Sequence, residues 1–427
     1  MGKGGQNKTS SKLAKLQTEE LRKWAFQYGI DKSDKMDRST LESELYPYAD
    51  GIVDRRRQHI PNLPLAKPKF TLKTIRDAIP AHCFKRDLGL SMIHLLKDLA
   101  EIAVFAWLAT QIHTLPSKFD LPEWVVYIAW PIYWYAQGCV MTGVWVMAHE
   151  CGHQAFSDYE WINNIVGTIF HSLLLVPYHP WRITHGRHHN NTGSCDHDEV
   201  FAPSRRVDWK DEALRDTAFG NLWGIFLMLT VGWWPGYLLF NATGPAKYKG
   251  KNVSHLSPTA VFIDPKDYWL VVQSDIALFA CFAALFYSIY TYGIIATGAY
   301  YIIPEMIVNL HLVLITYLQH TDVYMPHFRN AEWNWLRGAI CTIDRQYGFF
   351  GLWDRTLHHI TDTHVCHHLF STMPFYHALE ATPHIKRVLG EYYKKDDTPI
   401  PYAVYRAFNC CQFVEDTGDT VFYKNKK

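Results

Sequence analysis

Three short clusters of histidine residues are the side chains in this chain best placed to do chemistry. The first has the pattern H-E-x-x-H, and the second and third share the pattern H-x-x-H-H. Their histidines are His149 and His153, then His185, His188 and His189, and finally His364, His367 and His368. Residues three and four apart on a helix share one face, so each cluster presents its imidazoles together. Such a face can supply most of the ligands of a metal ion.

The number of imidazoles decides which kind of metal site they form. The first cluster alone fits a zinc protease, in which Glu150 would be the general base. A zinc hydrolase, however, needs three protein ligands and one open position. Eight imidazoles exceed that requirement and suit two ions, and imidazole binds iron, copper and zinc. If the two ions are iron, a site of this kind in a membrane implies oxygen chemistry.

Composition narrows the class of protein. The net charge is only +1, so the sequence predicts no nucleic-acid partner. The 16 tryptophans and 25 tyrosines suit a membrane–water boundary, where one side of a ring is apolar and the other wet. The nine cysteines are scattered and odd in number, which indicates reduced thiols rather than a disulfide framework.

Long apolar segments must position the histidine clusters. Four of them are candidate membrane spans, at residues 93–115, 124–148, 267–290 and 293–318. Two further apolar segments are weaker candidates. Residues 161–177 are short for a span, and residues 219–241 are interrupted by Pro235 and Gly236.

One shared metal site requires all three clusters to lie on the same side of the membrane, with an even number of crossings between them. Because three candidates separate His189 from His364, one of them must not cross, and 219–241 is the interrupted one. The sequence therefore predicts an all-α integral membrane protein. Four transmembrane helices would carry a cytosolic helical cap that holds a histidine-rich di-iron site.

Four strings of residues resemble a known family. They are WVMAHECGHQAFSDYEW, HPWRITHGRHHNNTG, TYLQHTDVYMPH and HHITDTHVCHHLFSTMP. They resemble the membrane fatty-acid desaturases, and most of all the oleoyl Δ12 acyl-lipid desaturases of plants and fungi. The similarity runs from about Lys67 to Asp416, and the first 60 residues do not carry it.

The resemblance implies a ninth histidine ligand, which falls on His320 at the end of the 293–318 segment. A nearby position that holds asparagine in related desaturases is Thr316 here, and Cys366 stands where an apolar residue is commoner. Side chains beside the clusters are expected to orient the ligand imidazoles. These are His179, His358 and His359, with the carboxylates Asp196, Asp198 and Asp362.

The resemblance also implies cofactors, partners and location. The cofactors would be two iron ions, with O2 as co-substrate and electrons from cytochrome b5. No H-P-G-G haem motif is present, so the cytochrome b5 and its reductase would be separate proteins. The substrate would be an oleoyl chain on a membrane phospholipid, converted to linoleoyl. We expect a multi-pass protein of the endoplasmic reticulum with its metal site facing the cytosol, and the choice between monomer and homodimer stays open.

The expected domain division follows the similarity. Residues 1–66 form an N-terminal cytosolic region and Pro-rich link, 67–420 the desaturase domain, and 421–427 a C-terminal tail.

Several alternative functions remain. Within the family they are an omega-3 desaturase, hydroxylase, acetylenase or epoxygenase, and outside it a membrane zinc metalloprotease or a non-catalytic metal carrier.

Overall fold

The computed structural model of the protein describes residues 13–27, 35–45, 62–211, 213–348 and 351–426. Much of the predicted N-terminal region, 1–66, therefore lies outside the described residues, as does the last residue of the predicted tail. The described part is helical with a few short strands, which confirms the predicted all-α class in its coarse form.

Helices account for most of the described chain. In chain order they are α1 Thr18–Gln27, α2 Arg38–Leu45, α3 Leu72–Ala78, α4 Leu88–Thr110, α5 Leu115–Phe119, α6 Val125–Gly152, α7 Glu160–Leu173, α8 Tyr178–Asn191, α9 Ala218–Val231, α10 Tyr268–Thr297, α11 Ile303–His320, α12 Trp335–Ala339, α13 Leu352–Thr356, α14 His364–Leu369, α15 Phe375–Leu389 and α16 Ile400–Cys410.

Four short strands form two small sheets. Strand β1 (Pro326–Phe328) pairs antiparallel with β4 (Thr420–Phe422), and β2 (Asp344–Arg345) pairs in parallel with β3 (Lys395–Asp396). Both pairs join the region after α11 to the C-terminal part of the chain. They therefore connect these two regions near the end of α11. No disulfide joins the nine cysteines, all of which lie within the described residues.

Helices α6 and α11 pack closely, and a glycine makes this approach possible. A Cβ atom at Gly138 would lie 2.4 Å from the Cβ of Ile307, which is a severe clash. The close contact places the C-terminal ends of both helices side by side. Because α6 ends at Gly152 and α11 ends at His320, the first histidine cluster and the ninth histidine meet there.

The segment predicted not to cross a membrane is broken in the structure. Helix α9 has 14 residues, about 21 Å at 1.5 Å per residue, and a π-helical turn over Gly232–Tyr237 follows it. Trp234 in that turn has non-helical dihedral angles (φ −105°, ψ 122°), next to Pro235, which cannot donate a backbone hydrogen bond. The helical part is thus shorter than a hydrocarbon layer of about 30 Å.

Within the described residues, one helical stretch has the length and composition of a membrane span, Pro265–His320. It contains α10 and α11, and Gly293 divides it with a left-handed φ of 84°. Large apolar side chains remain exposed along α10, among them Phe279, Phe286 and Ile295. Helix α4 and the first half of helix α6 also expose large apolar side chains, including Trp107 and Ile132. Such extensive exposed apolar surface is unusual for a soluble monomer.

Candidate metal centre

Four helices, α6, α8, α11 and α14, bring the candidate ligands together. His149 lies in the last turn of α6, and His153 directly follows that helix. The second cluster lies on α8, the third on α14, and His320 is the last residue of α11. All nine side chains are buried or half-buried, although they come from positions up to 219 residues apart in the chain.

Five of the imidazoles form a first group. Their potential ligand atoms all lie within 4.8 Å of one another, and the members are His149, His153, His185, His189 and His367. The Nε2 atom of His149 is 2.9 Å from that of His185 and 3.2 Å from that of His153. The Nε2 atoms of His185 and His189 are also 3.2 Å apart. One nitrogen atom of each ring in this group can thus face a shared point.

The other four imidazoles form a second group. His188, His320 and His368 also have ligand atoms within 4.8 Å of one another. The Nε2 atom of His320 is 3.3 Å from the Nε2 atoms of both His188 and His364, which adds His364 to this group. The two groups touch where the rings of His189 and His368 stack, with centroids 4.0 Å apart. The arrangement offers two adjacent positions for ions.

Hydrogen bonds hold the opposite ring nitrogens of three of the four imidazoles in the second group. The Nδ1 atom of His188 is 2.7 Å from a carboxylate oxygen of Asp198, and that of His364 is 3.0 Å from the carbonyl oxygen of Ile360. The Nδ1 atom of His368 is 3.2 Å from the Thr192 hydroxyl oxygen. An Nδ1–H bonded to an acceptor fixes the tautomer in which Nε2 keeps its lone pair for a metal.

Two tryptophans support the first group. The ring of Trp181 stacks on His185 with centroids 4.7 Å apart, and the ring of Trp145 stacks on His149 at 5.4 Å. Each tryptophan precedes its histidine by four residues on the same helix, so the rings share a face. The role of these two tryptophans was not predicted from the sequence, although their i, i+4 spacing to the histidines was a usable signal.

Burial is the main reason why the pKa values of these imidazoles are low. The pKa of His153 falls to about 3, because of burial and then repulsion by His188 and Arg182. Burial also lowers the pKa of His364 to about 3 and outweighs the hydrogen bond to Ile360. The pKa falls well below its usual value, with burial as the first cause, for His149, His185, His189, His320, His367 and His368. These imidazoles are neutral at neutral pH, which is the form that binds metals.

Glu150 is buried but does not face the converging Nε2 atoms. Its Oε2 atom accepts a hydrogen bond from the backbone N–H of Phe375 at 3.1 Å. Its Oε1 atom is 3.6 Å from Nδ1 of His149, on the outer side of that ring. Burial raises the pKa of the Glu150 carboxyl to about 8. This position favours a supporting carboxyl that ties α6 to α15 over the general base of a zinc protease.

The flanking residues predicted from the sequence divide into those that reach the cluster and those that do not. Asp198 does, as described above, whereas the side chain of Asp196 is exposed. His358 is 2.6 Å from Asp98, and His359 is 3.1 Å from Asp362, so their closest polar partners are carboxylates rather than ligand imidazoles. His179 is buried, and within the described structure neither of its ring nitrogens has a hydrogen-bond partner.

The structure also shows the contacts of Thr316 and Cys366, the two residues at which the sequence departs from the family pattern. The Thr316 hydroxyl donates to the carbonyl oxygen of Leu312 at 2.7 Å, within its own helix. Cys366 is buried on the outer side of α14, with its sulfur 3.7 Å from that of Met373. Neither side chain is therefore bonded to the imidazoles.

An apolar cavity of about 460 Å³ lies beside the cluster, between α9, α11 and α16. A volume of a few hundred cubic ångströms is typical of ligand pockets. A small chamber of about 20 Å³ lies directly against five of the cluster histidines, under apolar side chains such as Leu312 and Ile315. Thr316 lines both spaces and forms part of the wall between them.

The residues present fit a pair of metal ions. The donor set is a shell of imidazoles whose potential ligand nitrogens converge in two groups. Within the described structure, the buried Nε2 atoms of His367 and His368 have no hydrogen-bond partner. A buried polar atom without a partner is costly unless another group, such as an ion, satisfies it. The helical fold and this cluster define a class of histidine-rich proteins that can hold metal ions.

Comparison with known proteins gives the family. The model of the family "Fatty acid desaturase" matches residues 123–399. The chain is 45% identical over 377 residues to an omega-6 fatty acid desaturase, endoplasmic reticulum isozyme 1, of Glycine max, covering 87% of this chain and 94% of that protein. It is 45% identical over 374 residues to a Delta(12) fatty acid desaturase of Mortierella isabellina, covering 84% and 91%.

A third relative is a Delta(12)-fatty-acid desaturase of Arabidopsis thaliana, 44% identical over 374 residues, or 85% of this chain and 94% of that protein. The chain belongs to the fatty acid desaturase family. The family predicted from the histidine strings is thereby confirmed, and the chain is an oxidoreductase that acts on lipid acyl groups.

Proposed function

We propose that the chain is a Δ12 (omega-6) fatty-acyl desaturase that converts oleoyl to linoleoyl chains on phospholipid. The observation that carries this proposal is the convergence of nine buried imidazoles in two adjacent groups beside an apolar cavity. The names of the relatives from soybean, a Mortierella and Arabidopsis support the Δ12 position. Omega-3 desaturation, hydroxylation, acetylene formation and epoxidation would use the same ligand set and remain the alternatives to be tested.

The nine imidazoles would hold two iron ions, with His149, His153, His185, His189 and His367 on one side and His188, His320, His364 and His368 on the other. When bound, the iron pair supplies the oxidation of unactivated C–H bonds with O2 and two electrons, which side chains alone cannot perform. The protein contributes orientation: Asp198, Thr192 and the Ile360 carbonyl fix ring tautomers. The apolar side chains of the small chamber keep bulk water away from the reacting carbons.

The acyl chain would enter through the apolar cavity. Its wall includes Met228, Trp233 and Val313, which suit a hydrocarbon chain, and the cavity reaches Thr316 next to the small chamber. The position of the new double bond along the acyl chain would then be set by how far that chain can extend past Thr316. Registration of this kind decides which pair of carbons meets the oxidant.

The membrane arrangement with four transmembrane helices is also proposed. Helices α4, α6, α10 and α11 would cross, because they have 23, 28, 30 and 18 residues and expose apolar surface or lie in the Pro265–His320 stretch. Helices α7 and α9 have 14 residues each and would lie along the membrane surface. The metal centre then faces the cytosol from the endoplasmic reticulum membrane, the compartment named for the soybean relative.

Separate cytochrome b5 and its reductase would supply the electrons. Lys386 and Arg387 are exposed on α15, the helix that follows the third cluster in the chain, and offer positive charge to an acidic partner. The proposed domain division remains 1–66 as cytosolic region, 67–420 as desaturase domain and 421–427 as tail. A homodimer is compatible with this arrangement and is tested by the mass of the purified protein.

Expression in a host whose lipids contain only monoenes tests the proposed activity. We expect new linoleoyl chains, identified by mass spectrometry with location of both double bonds. His185→Ala should abolish the product, whereas the matched control His197→Ala, at an exposed position outside both groups, should keep it. A hydroxy, epoxy, acetylenic or omega-3 product would replace Δ12 desaturation by that alternative, and no new product from well-expressed protein would contradict the proposal.

A further inference from the structure

A second set of metal-binding side chains lies apart from the nine imidazoles. His82 and Cys83 are neighbours in the 3-10 turn Ala81–Phe84, ahead of α4, and His377 and Glu380 are three residues apart in α15. The potential ligand atoms of these four residues lie within 4.8 Å of one another. These four residues could not be predicted from the sequence, because two pairs nearly 300 residues apart show no pattern until the fold joins them.

The distances between these atoms fit a tetrahedral ion. His82 Nε2 is 3.0 Å from Oε2 of Glu380 and 3.7 Å from the sulfur of Cys83. Metal–ligand bonds of about 2.0–2.3 Å in a tetrahedral zinc site place neighbouring ligand atoms about 3.3–3.6 Å apart. The rings of His82 and His377 are arranged edge to face, with centroids 5.6 Å apart, which leaves room between them.

We propose that His82, Cys83, His377 and Glu380 bind one zinc ion that joins the segment ahead of α4 to helix α15. Imidazole, thiolate and carboxylate are all established zinc ligands, and four protein ligands are typical of a structural site. On binding, the Cys83 S–H bond is replaced by a Zn–S bond and the proton leaves to solvent. The site is independent of the proposed Δ12 activity.

The surroundings of these four residues suit a zinc ion that joins two segments of the chain. Cys83 is fully buried at the edge of a hydrophobic core, whereas His82 and Glu380 are exposed, so an ion can enter from solvent. The turn also packs on the region around α15 through Phe84 and Phe370, with ring centroids 5.3 Å apart. Removing one ligand should therefore release the metal and leave the fold in place. Without a metal, the His82–Glu380 contact is an exposed ion pair of the kind that contributes little to stability.

Cobalt substitution tests the site independently of enzyme activity. The purified full-length protein is titrated with Co²⁺, and the thiolate-to-cobalt charge-transfer band in the near ultraviolet is recorded. A cluster made only of histidines gives no such band, so the signal reports a cysteine ligand. We expect the band in the wild-type protein and in the control Cys281→Ser, whose cysteine lies on α10 outside every cluster. The band should be lost in Cys83→Ser.

Glu380→Gln and His377→Ala provide a second measurement at positions that are not fully buried. Elemental analysis should find zinc lost from these two variants and kept in His113→Ala, an exposed histidine of a different turn. Iron content should stay unchanged in all of them. A wild-type protein without the cobalt band, or full zinc retention in Cys83→Ser and Glu380→Gln, would overturn the proposal.

Discussion

Individual side chains decide how well the candidate ligands are preorganised. His188 is the candidate ligand held most closely by a carboxylate, since its Nδ1 atom is 2.7 Å from Asp198. The second carboxylate oxygen of Asp198 accepts from the backbone N–H of Gly193, so the carboxylate is itself fixed. Supporting residues of this kind affect metal affinity although they never touch the metal.

Asp198→Asn should therefore weaken the site without removing a ligand. Loss of a carboxylate behind a ligand imidazole typically costs about 10–100-fold in metal affinity or activity. The measurement is iron content together with product formation per unit of protein. Asp196→Asn is the matched control, because the Asp196 side chain is exposed two residues away. Equal effects of the two substitutions would show that Asp198 does not orient His188.

Thr316 is the residue that separates the apolar cavity from the chamber at the histidines. Thr316→Leu should fill this passage and lower desaturation of the long acyl chain, with iron content unchanged. Thr230→Leu is a matched control, since its hydroxyl also donates within its own helix and the residue is likewise half-buried. Product yields from membranes that contain equal amounts of protein provide the comparison. Full activity in Thr316→Leu would place the acyl route elsewhere.

Among the elements, the end of α11 is fixed by a buried network of charges. Arg345 on β2 donates to the Leu318 carbonyl at 2.7 Å and to Asp322 at 2.8 Å. Asp396 on β3 and Arg406 on α16 complete the network, and all four charged side chains are fully buried. Because His320 lies between Leu318 and Asp322, this network also positions a candidate ligand.

Asp396→Asn should be strongly destabilising, since two buried guanidinium groups are then left to share the single negative charge of Asp322. Breaking a buried pair in this way costs about 3–5 kcal/mol. Burial opposes ionisation of Asp396, but Arg345 and Arg406 outweigh it and lower the pKa of the carboxyl. The stabilisation is thus present above the ordinary aspartate pKa of about 4 and is lost as pH falls further.

Thermal unfolding in detergent as a function of pH measures this effect. The wild-type protein should lose stability as the pH falls below about 4, and Asp396→Asn should lose less, because this carboxylate is already absent. The control Asp211→Asn removes an exposed partner of Arg206 and should change the unfolding temperature little. A comparable fall of the unfolding temperature in Asp396→Asn and Asp211→Asn would argue against the buried network.

Local patterns predicted the elements better than the contacts between them. Apolar segments 93–115 and 124–148 correspond to α4 and α6, and Pro235 and Gly236 correctly marked the break after α9. The family resemblance placed His320 beside the clusters, where the fold also puts it. Long-range partners such as Thr192 on His368 and Asp98 on His358 could not be predicted, because neither pair is close in sequence.

At the scale of the whole molecule, the topology with four transmembrane helices assigns each loop to one side of the membrane, and this assignment can be tested. The loop around Asp120, between α5 and α6, should face the lumen, whereas the exposed loop around Gly250 should face the cytosol. A glycosylation acceptor inserted at Asp120 should be modified. The natural sequon at Asn252, which is exposed, should stay unmodified. Peptide mass spectrometry reads both positions, and a glycan on Asn252 would contradict the topology.

The central claim is that nine imidazoles from four parts of the chain form one site for two iron ions. Metal analysis of the purified wild-type protein tests this claim most directly. It should give two irons per chain, besides any zinc at the separate Cys83 site, and His185→Ala should lose iron and keep that zinc. Zinc without iron in active wild-type protein, or an undiminished iron content in His185→Ala, would contradict it.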